Sequence, residues 1–164
     1  MTKIFASVVA VVLLAGGGVG SQSKSGSLQG VWQTVEITIA GPTPRTITIP
    51  EPRPYFTIIT SKYYSRTEVQ SDGPRPVIAD VAKATADELR TVWGPFVGEA
   101  GTYDVSGDLA TMHPLASKNP AAMVPGAFIV YTYKLDGNTL WLVQQRNQNG
   151  PYPAPVTFKL VRVE

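Results

Sequence analysis

Few side chains in this sequence could carry acid–base chemistry, and two of them flank one predicted turn. His113 is the chain's only histidine, and histidine is the side chain that changes charge near neutral pH when it is unperturbed. Tyr103 precedes a predicted turn at residues 106–108. Counting back from that turn pairs Tyr103 with Thr111, so its contact with His113 would be diagonal. Facing one cavity, Tyr103 and His113 could orient a polar ligand group or move one proton. Facing outward, His113 is a hydrogen-bonded strand residue.

Aromatic side chains form a second candidate group, on the two strands predicted on either side of residues 136–138. Tyr131 and Tyr133 precede this Asp-Gly-Asn turn and Trp141 follows it. Asp-Gly is a strong hairpin signal because glycine adopts positive φ easily. Aromatic pairs across strands usually pack together, at roughly 0.2–1 kcal/mol each, but they can also line a pocket. The candidate ligand-binding residues are therefore Tyr103, His113, Tyr131, Tyr133 and Trp141.

Composition excludes several classes of function. The 164-residue chain contains no cysteine, which excludes a disulfide framework, a thiolate nucleophile, thiolate zinc ligands and a lipid-modified cysteine. With one histidine it has no multi-histidine metal site, and it lacks the motifs of nucleotide-binding loops, zinc proteases, serine hydrolases and calcium loops. We therefore expect no metal and no cofactor. Catalysis without either stays an alternative, and a binding function is favoured. A net charge of +2 gives no reason to expect a nucleic-acid partner.

The first twenty residues have the pattern of a secretory signal peptide. Lys3 is followed by an uncharged run at residues 4–15 and a small-residue segment at 16–20. The run is shorter than the roughly 20 apolar residues of a membrane span, although an uncleaved anchor is the alternative. Residues 21–27 are predicted to be a flexible polar leader. We therefore expect residues 28–164 to form the mature domain, secreted or periplasmic, without a stable membrane anchor after cleavage.

Alternating apolar and polar residues predict strands along most of the remaining chain. In the first strand Val35, Ile37 and Ile39 would face one side of the sheet. Short strands separated by Gly, Pro, Asn and Asp are typical of an antiparallel meander, and closing it into a barrel removes its free edges. A β-sandwich is the alternative. The predicted strands span residues 29–41, 46–49, 55–60, 63–70, 99–105, 109–114, 127–135, 139–146 and 154–163.

One short helix interrupts the strands. Thr85 and Glu88 have the spacing of a capping box, in which each side chain bonds to the other residue's amide. Gly94-Pro95 ends the helical pattern. The sequence therefore predicts a helix over residues 86–93, with an upstream extension to Val81 as an alternative.

Two features at opposite ends of the chain form one pattern. Gly30-Val31-Trp32 opens the first predicted strand, and Arg162 lies near the end of the last. The triplet resembles the Gly-x-Trp signature of lipocalins. This resemblance implies that Gly30, Trp32 and Arg162 plug the closed end of an eight-stranded barrel, with Arg162 lying across the indole. A guanidinium over an indole face is a favourable pair of about 0.5–2 kcal/mol.

The second half of the chain carries a more specific resemblance. Gly101-Thr102-Tyr103, His113, Asn119-Pro120 and the Leu-Asp-Gly-Asn-Thr-Leu hairpin at 135–140 are similar to a pattern shared by the bacterial lipocalin-like domain family. The resemblance covers most of residues 27–164. It implies an all-β domain: an eight- to nine-stranded antiparallel up-and-down (lipocalin-like) barrel with one short helix. Most members of that family have no established activity, so the resemblance implies a fold rather than a reaction.

These expectations together favour a binding protein. Strands with apolar residues on both faces predict an apolar lumen, which would take up a small hydrophobic or amphipathic ligand. One alternative is a cyclase or isomerase on the same barrel, using His113 and Tyr103. The other is a structural envelope domain whose interior is packed.

Overall fold

Strands make up most of the computed structural model, which describes residues 27–49, 55–71 and 73–164. The predicted signal peptide (1–20) lies outside these residues, as does all of the predicted leader except Ser27. Within them the chain forms ten strands, two 3₁₀ turns and one α-helix. The strands are β1 (Gly30–Ile39), β2 (Arg45–Thr48), β3 (Phe56–Ile59), β4 (Tyr63–Val69), β5 (Phe96–Ser106), β6 (Leu109–Ser117), β7 (Ile129–Asp136), β8 (Thr139–Asn147), β9 (Gly150–Pro151) and β10 (Val156–Arg162); the helix α1 is Ala86–Trp93 and the 3₁₀ turns are Val81–Lys83 and Pro120–Met123.

Eight of these strands close into an antiparallel barrel. β1 pairs with β3, and the ladder then runs in chain order through β4, β5, β6, β7 and β8. β10 closes the ring by pairing with both β8 and β1. β2 lies outside the ring against β1, and β9 lies against the end of β8. The predicted all-β up-and-down barrel is thereby confirmed, and the sandwich alternative is wrong because one ladder joins all eight strands.

The helix α1 begins and ends where the sequence predicts. The Thr85 hydroxyl accepts a hydrogen bond from the Glu88 amide at 3.2 Å, and the Glu88 carboxylate accepts one from the Thr85 amide at 2.8 Å. The Thr85 amide bond, followed by the hydroxyl bond, lowers the pKa of Glu88. The upstream extension to Val81 is not formed, because Ala84 is extended and separates the Val81–Lys83 turn from the helix.

The turn between β5 and β6 is shorter than predicted. Gly107 and Asp108 form a two-residue turn, with Gly107 at φ +62°. Tyr103 is therefore opposite Met112 rather than Thr111. Directly opposite residues share one face of the sheet, and faces alternate along a strand. The shift of one residue therefore places Tyr103 on the same face as Met112 and on the opposite face from His113.

A bulge in β1 changes the predicted pattern of its buried face. The pairing with β10 shifts between Thr34 and Glu36, so Val35 is the extra residue. Trp32, Thr34 and Ile37 are buried in consequence. The predicted alternation of Val35, Ile37 and Ile39 therefore holds only after the bulge, because one inserted residue reverses the faces.

Candidate functional site

The closed end of the barrel is built around Trp32. Its side chain is 0% exposed, and its indole N–H donates to the Leu28 carbonyl at 2.8 Å. The Arg162 guanidinium lies 4.1 Å from the centroid of its ring and donates to the carbonyls of Ser27 and Gln29. These contacts hold the segment before β1 against the end of β10, and the guanidinium covers one face of the indole.

Gly30 has a steric role at the same end. Its φ is +143°, and a Cβ at this position would collide with the Arg162 guanidinium. A side chain there would displace the guanidinium from Trp32, so the close approach requires glycine.

Two of the sequence-predicted ligand residues lie near this closed end. Tyr103 and Tyr133 are partly buried against the core. The Tyr103 hydroxyl donates to the Thr60 carbonyl at 2.7 Å, and the Tyr133 hydroxyl to the Gly107 carbonyl at 3.2 Å. Burial, and then the nearby Tyr133, raise the pKa of Tyr103. Both hydroxyls are thus engaged by loop carbonyls rather than directed at open space.

Two further candidates point away from the lumen. His113 lies between the buried residues Met112 and Pro114, so its side chain faces outward and its Nε2 is 3.2 Å from the exposed carboxylate of Asp104. Trp141 is likewise on the outer face, with the Lys134 ammonium 5.5 Å from its ring centroid. The structure therefore does not bring His113 and Tyr103 together, because they occupy opposite faces of neighbouring strands.

The interior contains a polar network that the sequence analysis missed. Arg66 Nε donates to Glu68 Oε1 at 2.7 Å, and Gln70 Nε2 donates to Glu68 Oε2 at 2.9 Å. Glu68 is 0% exposed. The Tyr64 hydroxyl donates to Glu99 Oε1 at 2.7 Å. In the described part of the chain, each buried side-chain nitrogen or oxygen has a hydrogen-bond partner, as a stable buried network requires.

The sequence feature that could have revealed this network is the alternation of side chains along β4. Tyr64, Arg66 and Glu68 share one face of the strand, and charged residues on one strand face usually indicate the solvent side. Here the usual direction is reversed: Glu68 is buried, whereas the apolar side chains Ile58 and Tyr63 are exposed. Closure of the barrel, rather than side-chain polarity, determines the inward face.

The network combines charges with aromatic surfaces. The Arg66 guanidinium lies 4.3 Å from the Phe158 ring centroid. Burial alone would lower the pKa of Arg66, but the charge and hydrogen bond of Glu68 outweigh it and raise that pKa. Burial, followed by the Glu99 hydrogen bond, raises the pKa of Tyr64, and burial raises that of Tyr131. Of the five predicted ligand residues, Tyr131 alone lines a small void inside the barrel.

Two of the cavities in the structure share Glu99 as a lining residue. An inner void of about 30 Å³ lies in the barrel, with room for about one or two water molecules. A larger cavity of about 680 Å³ lies at the open end; we refer to these as the inner void and the mouth cavity. The inner void is small, and Arg66 and Glu99 add charge to a lining that the sequence analysis expected to be apolar.

The mouth cavity lies where β6 extends beyond the first residue of β7. Their ladder ends at the Met112–Ile129 pair, although β6 continues to Ser117. The connection between them carries the Pro120–Met123 turn and contributes to the cavity lining. Side chains from this connection, from the start of β5 and from the β8–β9 region line the cavity, among them Phe96, Ala122, Phe128, Ile129, Asn147 and Tyr152.

No protein-family model matches the chain, and a search of curated proteins found no match. Among solved structures, the chain is similar to a lipocalin-like protein from Bacteroides uniformis, with a TM-score of 0.47, 14% identity, and coverage of 84% of this chain and 99% of that one. It is also similar to an uncharacterized protein from Bacteroides eggerthii, with a TM-score of 0.44, 8% identity, and coverage of 83% and 99%.

The strand order and the closed end establish the type of barrel. Eight antiparallel strands follow one another in chain order, the last pairs with the first, and the Trp32–Arg162 pair lies at one end. This is a lipocalin-like barrel. Among the residues described, no helix has the length and apolarity needed to cross a membrane. The same residues bring together no three His, Cys, Asp or Glu side chains that could hold a metal ion.

Proposed function

We propose that this lipocalin-like barrel binds a small amphipathic molecule in the mouth cavity, with the polar end of the ligand directed at Glu99. The observation that carries the proposal is the cavity itself. Its volume of about 680 Å³ falls within the roughly 300–1,000 Å³ of typical ligand sites. This proposal differs from the sequence-based expectation, in which the ligand occupied the barrel lumen, by placing it at the open end.

The lining of the cavity suits a molecule with an apolar body. Phe96, Phe128, Ile129 and Tyr152 supply apolar surface, and Asn147 supplies a polar group at the rim. Burial of apolar ligand surface is worth about 25 cal/mol per Å², so 200 Å² would contribute about 5 kcal/mol before the entropy loss of binding. Hydrophobic contact would therefore provide affinity, and Glu99 would provide orientation.

We also propose that the protein acts after export, in the periplasm or outside the cell. The support is the basic residue, apolar run and small residues in positions 1–20.

A structural envelope domain is the second candidate function. The inner void of about 30 Å³ favours it, because such an interior is packed rather than hollow. This candidate differs from the first in one measurable respect, since a purely structural barrel would leave the mouth cavity without a ligand.

A cavity-filling substitution tests the binding proposal. Ala122 lines the mouth cavity within the Pro120–Met123 turn, so Ala122→Trp would occupy ligand space. We expect the wild type to bind the neutral dye N-phenyl-1-naphthylamine with a rise in fluorescence, and Ala122→Trp to weaken this binding at least tenfold. Native mass spectrometry of the exported protein would add the mass of any co-purified ligand and of the mature chain.

The matched control is Ala82→Trp, because Ala82 is an exposed residue of the other 3₁₀ turn. It should leave dye binding unchanged. Absence of binding to the wild type, or equal loss in both variants, would reject the mouth cavity as the site and favour the structural alternative.

A further inference from the structure

Few charged side chains line the two cavities, and they differ in whether another group of this chain binds them. Among the described lining residues, Arg66, Glu99 and Lys118 carry formal charge. Arg66 is paired with Glu68 through the 2.7 Å contact. The Lys118 ammonium donates to the carbonyls of Gly94 and Phe96, at 2.8 Å each, and also to that of Trp93. Both cations are thus held by groups of this chain.

Glu99 differs from these groups because, among the described residues, it forms no direct ion pair, although Arg66 lies opposite it on β4. In the described part of the chain, no Lys, Arg or His nitrogen lies within 4.0 Å of its carboxylate. Its Oε1 accepts from the neutral Tyr64 hydroxyl. The interior cluster of Arg66, Glu68 and Glu99 therefore carries a formal charge of −1, and a carboxylate in such surroundings favours a nearby cation.

The size of the inner void restricts the group that can neutralise Glu99. Room for about one or two water molecules admits an ammonium group, which has one heavy atom. A carboxylate has three heavy atoms and would bring a second negative charge beside Glu99. Around the same void, Thr34, Thr57 and Tyr131 supply hydroxyl groups, whose oxygens can accept hydrogen bonds from an ammonium.

We propose that the ligand is a primary amine with an apolar body: its ammonium group enters the inner void beside Glu99, and its hydrocarbon or aromatic part fills the mouth cavity. This inference rests on the proposed function and specifies its ligand class. Glu99 supplies the counter-charge. The Glu68 carboxylate offsets the charge of Arg66, and backbone carbonyls hold the Lys118 ammonium.

Three ligands of equal chain length test the ligand class. Octylamine, octan-1-ol and octanoate share an apolar body and differ in the charge of one end. Displacement of N-phenyl-1-naphthylamine from the wild-type protein at neutral pH measures all three affinities. We expect octylamine to bind at least tenfold more tightly than octan-1-ol, and octanoate to bind most weakly.

A charge-removing variant tests the role of Glu99. Glu99→Gln keeps an acceptor for Tyr64 and removes the charge, so octylamine affinity should fall about tenfold while octan-1-ol and dye affinities stay within twofold. The matched control is Asp104→Asn, the same change on the same strand but at an exposed carboxylate on the outer face. It should leave all affinities within twofold. Circular dichroism would show whether each variant is folded.

The outcomes separate this inference from the proposed function. Tightest binding of octanoate would overturn the amine proposal, assign the anion to Arg66 and leave the mouth cavity as a binding site. Equal binding of all three ligands would also overturn it. If neither the dye nor any of the three binds the wild type, the binding function itself fails. Should Glu99→Gln not fold, the wild-type series alone decides between these outcomes.

Discussion

At the scale of single residues, the barrel buries charge where the sequence suggested apolar side chains. Glu68 is fully buried, and Arg66 and Glu99 face the interior and are partly buried. Hydrogen bonds and the Phe158 ring hold them. Removing one member of a buried ion pair leaves an uncompensated charge, which usually destabilises a protein more than the intact pair stabilises it. The network thus places hydrogen-bonded charged groups at fixed positions in the interior, which apolar packing alone would not do.

Ionisation of Tyr64 makes the stability of the protein depend on pH in the alkaline range. Its pKa in the folded protein is raised above the usual 10.0, first by burial and then by the Glu99 hydrogen bond. In the unfolded chain it ionises near pH 10. Its contribution to stability is therefore intact below about pH 10 and declines as the pH rises further, because only the unfolded state then releases the proton.

We expect Tyr64→Phe to flatten the alkaline loss of stability. Between about pH 9 and pH 11, the free energy of unfolding of this variant should decrease less than that of the wild type, as measured by urea unfolding followed by circular dichroism. Tyr63→Phe, at the exposed neighbouring tyrosine, should keep the wild-type slope. Parallel slopes for the wild type and Tyr64→Phe would show that Tyr64 is not shielded.

At the scale of elements, the β5–β6 pair determines which side chains reach the interior. The two-residue turn sets its register, and an irregularity between Ala100 and Gly101 adjusts it. Gly101 is buried opposite Pro114, and a Cβ there would collide with the His113 carbonyl oxygen and lie 2.9 Å from Pro114 Cα. The close approach of these two backbones therefore requires glycine.

Gly101→Ala should separate β5 from β6 and destabilise the protein by about 1–3 kcal/mol, the usual range for overpacking. Urea unfolding would measure the loss. Gly73→Ala is the control, because no atom lies within 4 Å of its added Cβ, and it should change stability by less than about 0.5 kcal/mol. Equal effects of the two substitutions would contradict the packing argument.

At the scale of the whole molecule, one end of the barrel is closed and the other is open. Trp32 and Arg162 join the first strand to the last at the closed end. At the open end the β6–β7 ladder stops at the Met112–Ile129 pair, and residues on both sides of that point line the mouth cavity. The cavity therefore coincides with an incomplete ladder rather than with a wide barrel interior.

Trp32→Ala should leave a cavity at the closed end and destabilise the fold by about 3–5 kcal/mol. The control is Trp93→Ala, since Trp93 is half exposed on α1 and contacts Phe96 edge-on; its loss should be less than about 1 kcal/mol. Thermal and urea unfolding measure both variants. A small effect at Trp32 would show that the closed end contributes little to stability.

The sequence by itself determined the elements, because their signals act over a few residues. The Thr85–Glu88 capping box specified α1, the Asp-Gly turn specified the β7–β8 hairpin, and alternation indicated most of the strands. The short strand β9 escaped notice, since two residues carry no period. These local rules also sufficed for the all-β class and for the up-and-down order.

Only the tertiary structure decided which faces point inward and where space remains. The bulge in β1 and the two-residue β5–β6 turn each change the register by one residue, and one residue reverses the face of a strand. The β5–β6 register places His113 on the outer face, opposite to the face of Tyr103. Closure of the barrel turns the Arg66 and Glu68 face of β4 inward and the Trp141 face of β8 outward. The mouth cavity depends on where the β6–β7 ladder stops, and that depends on packing between residues distant in sequence.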